Sequence, residues 1–159
     1  MQVVFVSNYF NHHQLSFCDA LYELLEGSFC FLQTQPMEEE RVKMGWQAEE
    51  RPYVRYVQPD GTTTGGSEAF TAVTGWTPDE EIADNEWQNL LLTADMVIFG
   101  GCDDESYIRE RLAAGKPIFR YNERLYKEGQ WKAISPRGLL QKYKDHTRYR
   151  KAPVYFLCA

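Results

Sequence analysis

Six short, nearly continuous apolar runs recur along this chain, over residues 2–7, 29–34, 53–57, 95–101, 116–121 and 153–159. Runs of this length, rich in β-branched and aromatic residues, suit strands buried on both faces, the usual state of strands inside a parallel sheet. The intervening segments change period. Leu15, Phe17, Cys18, Leu21, Leu24 and Leu25 recur at helical spacing after the first run; Trp87, Leu90 and Leu91 do so before the fourth, and Ile108 and Leu112 after it. Strands alternating with helices predict an α/β fold: a single domain built on a doubly wound, mainly parallel, six-stranded Rossmann-like sheet, with right-handed crossovers and strand order 3-2-1-4-5-6. At 159 residues the chain has the length for one such domain. The third run, residues 53–57, alternates polar and apolar, which predicts an edge strand with one wet face.

Punctuation supports this division. Gly27 supplies a helix stop. Pro36, with Glu38, Glu39 and Glu40 early, Arg41 and Lys43 late and Gly45 after them, has the charge order of a short helix, and Trp46 should then seat on the domain. A helix is expected over 84–92, and Asp103 or Asp104 can cap the one that follows the fourth strand. Ser135 followed by Pro136 starts a last helix reaching about Tyr149. Residues 58–83 read as a flexible insertion; the stretch from Gly61 to Ser67 has glycines but neither the lysine nor the strand–helix setting of a phosphate loop. The chain stops at the end of a buried run, so we expect it to be one half of a longer protein.

Composition narrows the function. A net charge of −6 gives no support to nucleic-acid binding. No run approaches the roughly 18 apolar residues of a membrane span, and the opening residues lack a signal peptide's basic start and cleavage site. A cytoplasmic setting is expected, with Cys18, Cys30, Cys102 and Cys158 as free thiols. No metal is expected, since no third His or Cys joins His12 and His13 at ligand spacing. The first strand meets Ser-Asn-Tyr-Phe-Asn-His-His in place of a glycine fingerprint, which argues against a nicotinamide or flavin dinucleotide; no cofactor is expected.

Ligands of open α/β sheets sit beyond the carboxyl ends of the strands. That rim should collect Ser7, Asn8, Asn11, His12 and His13 from the first strand, Gly100, Gly101 and Asp103 from the fourth, and Arg120, Asn122, Glu123 and Arg124 from the fifth. Each has a structural alternative. One histidine can cap the helix while the other is solvated, and Arg120 and Arg124 can either hold a phosphate or sugar or belong to an arginine–glutamate network. The basic stretch 137–151 is either a solvated helix face or a surface for anionic lipid headgroups or a polyanionic substrate.

Four stretches, VVFVSNYFNHHQ, PMEEERVKMGW, FRYNERLYKEG and SPRGLLQKYKDHTRYRKAPVYFLCA, together resemble the N-terminal half of bacterial GT-B type glycosyltransferases, in the glycosyltransferase family 1 group of polysaccharide synthesis. The Gly-Thr-rich stretch from Gly61 to Pro78 departs from that pattern. The resemblance implies a two-domain enzyme in which this half faces a glycan or lipid-linked acceptor and a second Rossmann-like half binds the nucleotide-sugar donor. It puts His12 and His13, as catalytic residues, in the interdomain cleft, and Arg120 and Arg124 on the opposite wall; Ser7, Asn8, Asn11, Gly100 and Gly101 of the strand-end rim are then expected to bind substrate. Rival readings are a flavodoxin-like or receiver-like binding module and a non-catalytic interaction domain.

Overall fold

The first strand, β1 (Val3–Ser7), is buried along its whole length and lies at the centre of the sheet. A computed structural model describes residues 1–46, 50–57, 63–65, 86–100, 105–122 and 135–158. β1 pairs in parallel with β2 (Phe29–Gln33) on one side and β5 (Met96–Phe99) on the other, so that Phe5 sits between Phe31 and Ile98. β3 (Val54–Val57) extends the sheet beyond β2, and β6 (Ile118–Asn122) and β7 (Val154–Cys158) extend it beyond β5, all parallel. These six strands have the order expected from the sequence. The fold is an α/β, Rossmann-like, doubly wound single domain.

A seventh described strand departs from that expectation. β4 (Thr63–Gly65) lies inside the segment read as an insertion and pairs antiparallel with β3, with Tyr56 opposite Thr64. β3 is therefore not an edge strand. Its Arg55 side chain is buried, and the alternation that suggested a wet face marks a covered cation instead. Gly65 makes the pairing possible: its φ is +83°, and a Cβ there would stand 2.7 Å from the Val54 carbonyl oxygen.

Alternation along the strands feeds two cores. Val3, Phe5, Phe29, Phe31, Val54 and Ile98 face α1 (His12–Leu24), where they meet Phe10, Cys18, Leu15, Phe17 and Leu21. Val4, Val6, Cys30, Leu32, Val97, Phe99 and Ile118 face the other way, onto Leu90 and Leu91 of α3 (Glu86–Thr93) and Ile108 of α4 (Ser106–Ala113). Both faces being covered explains why these strands read as continuous apolar runs. At about 1.5–3 kcal/mol per buried large apolar side chain, these two layers supply most of the folding drive.

The short α2 (Glu39–Lys43) and α5 (Pro136–Thr147) complete the helices, the latter capped by the Ser135 hydroxyl, which accepts from the Gly138 amide at 3.1 Å, with Pro136 in the first turn. The expected caps at Asp103 and Asp104 lie outside the described residues; the N-cap position of α4 is Glu105, without a side-chain cap bond. Arg111 was not singled out by pattern or motif. Its side chain is buried and donates from Nη1 to the carbonyls of Leu91 (2.6 Å) and Ala94 (3.1 Å) and from Nη2 to Pro117 (3.3 Å). One guanidinium thus ties the end of α3 to the approach to β6, a favourable place for a cation because helix carbonyls point there.

Candidate functional site

β1 must hand the chain from the sheet to α1 within a few residues, and the loop that does so is held to the neighbouring β2 end. The Thr34 amide and hydroxyl both donate to the Ser7 carbonyl, at 2.9 and 3.2 Å, and the Gln35 amide donates to the Asn8 carbonyl at 3.1 Å. The Phe10 amide donates to Gln33 Oε1 at 3.0 Å, while Gln33 Nε2 donates to the Gln35 carbonyl at 2.7 Å. Asn8 Oδ1 accepts from the Ser7 hydroxyl (3.2 Å) and from the Tyr9 amide (3.0 Å). Asn11 then starts the helix with a capping box: its Oδ1 accepts from the His13 amide at 2.9 Å, and Gln14 Oε1 accepts from the Asn11 amide at 3.1 Å. The loop is a fixed platform.

What it displays is an imidazole pair. His12 and His13 occupy the first turn of α1, both exposed, with ring centroids 4.0 Å apart. Half-buried Trp46 stands edge-on to both, at 6.0 Å from His12 and 5.6 Å from His13. Arg41 lies over the Trp46 ring at 4.8 Å and the Tyr9 ring at 5.3 Å. Glu38 holds Arg41 and Tyr9 in place, accepting from Arg41 Nε at 3.0 Å and from the Tyr9 hydroxyl at 3.1 Å. Those two bonds, Arg41's first, keep the Glu38 carboxyl below the usual carboxylate range. Burial, and then the bond to Glu38, push the Tyr9 phenol up. The aromatic wall can stack against a ring face, and the imidazoles beside it can accept or donate a proton.

No protein-family model, curated protein or solved structure matches the chain.

The other residues expected on the rim divide differently. Ser7 and Asn11 are buried and their side chains serve the loop, Asn11 as the helix cap, the role that was the structural alternative for one histidine. Asn8 is partly buried, with its oxygen taken up by Ser7 and Tyr9. Gly100 donates its amide to the Val6 carbonyl at 2.8 Å, and a Cβ on it would stand 2.6 Å from Phe5 Cε2, so its missing side chain makes room for a core ring. Arg120 is turned away from the histidines. Strand alternation puts Tyr121 on the α1 face against Phe5, at 5.4 Å, and Arg120 on the opposite one, where it stands 3.8 Å from Glu105. Glu105 also pairs with Arg148 at 2.7 Å and accepts from the Tyr149 hydroxyl, so Arg120 belongs to a polar cluster centred on Glu105. Gly101, Asp103, Glu123 and Arg124 lie outside the described residues.

Of the expected site residues the structure therefore keeps His12 and His13 together and adds Trp46, Arg41, Tyr9 and Glu38, which the sequence reading did not assign to the site. Gly45 before Trp46 was the available signal: its φ of +77° reverses the chain after α2 and aims the indole back at α1. Among the described residues no three His, Cys, Asp or Glu side chains converge as a metal site, and no helix is long and apolar enough to cross a membrane.

Proposed function

We propose that this chain is the acceptor-facing half of a GT-B type glycosyltransferase, moving a sugar from a nucleotide-sugar to a glycan or lipid-linked acceptor, with the donor held by a second Rossmann-like half. The observation that carries the reading is the exposed His12–His13 pair against Trp46, mounted on a rigid loop at the carboxyl end of the central strand. An indole edge beside polar side chains suits the mixed apolar and hydroxyl surface of a sugar. In the transfer, the acceptor oxygen forms the new bond to the anomeric carbon, its proton passes to an imidazole nitrogen, and the nucleoside diphosphate leaves with the electron pair of the broken bond. Positioning of the acceptor by Trp46 and Arg41 would supply the orientation part of the rate.

The test begins with this chain alone. Titration with oligosaccharides, followed by nuclear magnetic resonance, should move the Trp46 indole and the His12 and His13 ring signals, while nucleotide-sugars leave them in place. Micromolar binding of a nucleotide-sugar here, or silence of those three residues toward every saccharide tried, defeats the assignment. Joined to its donor half, His12→Ala or His13→Ala should lower turnover by roughly 10²-fold, for whichever ring is the base, with an unchanged melting temperature.

A further inference from the structure

A second surface has a different chemistry. Residues 135–151 carry Arg137, Lys142, Lys144, Arg148, Arg150 and Lys151 against Asp145 alone, a segment charge of +5 on a chain of −6, which leaves −11 on the remainder. Along α5, Leu139, Leu140 and Tyr143 are 43%, 53% and 58% exposed, although an amphipathic helix of a doubly wound fold ordinarily buries such residues against the sheet. With about 100° between successive residues, these three fall within about a quarter to a third of the helix circumference. Arg137 and Lys144, both exposed, lie beside that arc, and exposed Arg150 and Lys151 follow in the turn after the helix.

We infer that α5 and the turn after it form a docking surface for an anionic lipid bilayer. Exposed apolar side chains alone would suit a protein partner, and cations alone a soluble polyanion. The two together on one helix match an interface that offers negative headgroups above an apolar layer. Charge complementarity favours this face, because the segment is basic while the rest of the chain is strongly acidic. Leu139, Leu140 and Tyr143 would enter the headgroup boundary, with Arg137, Lys144, Arg150 and Lys151 reaching the phosphates. This inference does not depend on the glycosyl-transfer reading.

Flotation with vesicles tests it. Partition onto phosphatidylcholine vesicles containing about 30% phosphatidylglycerol should exceed that onto pure phosphatidylcholine by at least about tenfold, and should fall away as salt is raised to about 0.5 M. The double variant Arg137→Glu with Lys144→Glu should abolish it. Leu140→Ser with Tyr143→Ser should weaken vesicle binding by about tenfold while retention on heparin is unchanged, because only a bilayer uses the apolar side chains. These side chains are all exposed, so the variants should fold, as circular dichroism would verify. Equal partition onto neutral and anionic vesicles overturns the inference. So does vesicle binding indifferent to the apolar pair, which would identify the surface as a polyanion site.

Discussion

Replacing Arg111 by methionine keeps an aliphatic stem of similar length and removes the guanidinium that joins α3 to the start of β6. The carbonyls of Leu91 and Ala94 then lose their donors at 2.6 and 3.1 Å, and Pro117 its weaker one at 3.3 Å. A hydrogen bond from a charged donor contributes about 1.5–3 kcal/mol net, so the two shorter bonds together are worth about 3–6 kcal/mol. The lower end applies here. Burial pulls the Arg111 guanidinium down to about 10, a sign that its bonds do not offset its dehydration entirely, and its Nε has no hydrogen-bond partner among the described residues. A loss of about 3 kcal/mol in a domain of this size lowers the melting temperature by about 6–12 °C. Arg111→Lys should do little better, since one ammonium cannot span three carbonyls as a planar fork does. Thermal unfolding followed by circular dichroism reads the shift, with the His12 and His13 ring signals as a control on the distant site. A methionine variant melting within about 2 °C of the parent would show that the buried guanidinium is replaceable by packing, and the argument for it as a tie would be wrong.

Two further outcomes follow from the core. Gly100→Ala should cost about 1–3 kcal/mol, because its Cβ meets the Phe5 ring at 2.6 Å and that ring is closed in by Phe17, Phe31 and Tyr121; a denaturant midpoint equal to the parent's would return Gly100 to the list of binding residues. Stability should also fall in base: burial pushes the Cys30 thiol up to about 12, burial and then Asp19 raise Cys18, and burial and then its bond to Asp19 raise Tyr53. Groups raised on folding hold their protons longer in the native state, so their contribution is complete below the ordinary thiol value of 9.0 and is lost as pH climbs toward the folded values. Urea midpoints under reducing conditions should drop between pH 9 and 10.5, and a flat profile across that window would contradict the burial of these groups.

Much of the fold was legible because it is written locally. Continuous apolar runs at residues 2–7, 29–34 and 95–101 carry the mark of strands covered on both faces, and Ser135 with Pro136 marks a helix start whatever surrounds it. The neighbouring positions of β1 and β5 also followed, because right-handed crossovers in a doubly wound sheet bring the chain back beside its first strand. The candidate site was legible only in part. His12 and His13 are adjacent in sequence and share the first turn of α1, so they could be placed together. Which other side chains join them depends on contacts across the loops: Trp46 and Arg41 arrive from beyond β2, while Arg120, expected opposite the histidines, is carried to the other face by the register of β6. Arg55 and Arg111 make the same point. An arginine within an alternating strand or a helix reads as solvated, and only what the rest of the chain lays against it, for Arg111 the meeting of α3 with the segment before β6, determines that it is buried. Propensity and period act over a few residues, whereas the facing and burial of a polar side chain are set by what the rest of the chain brings against it.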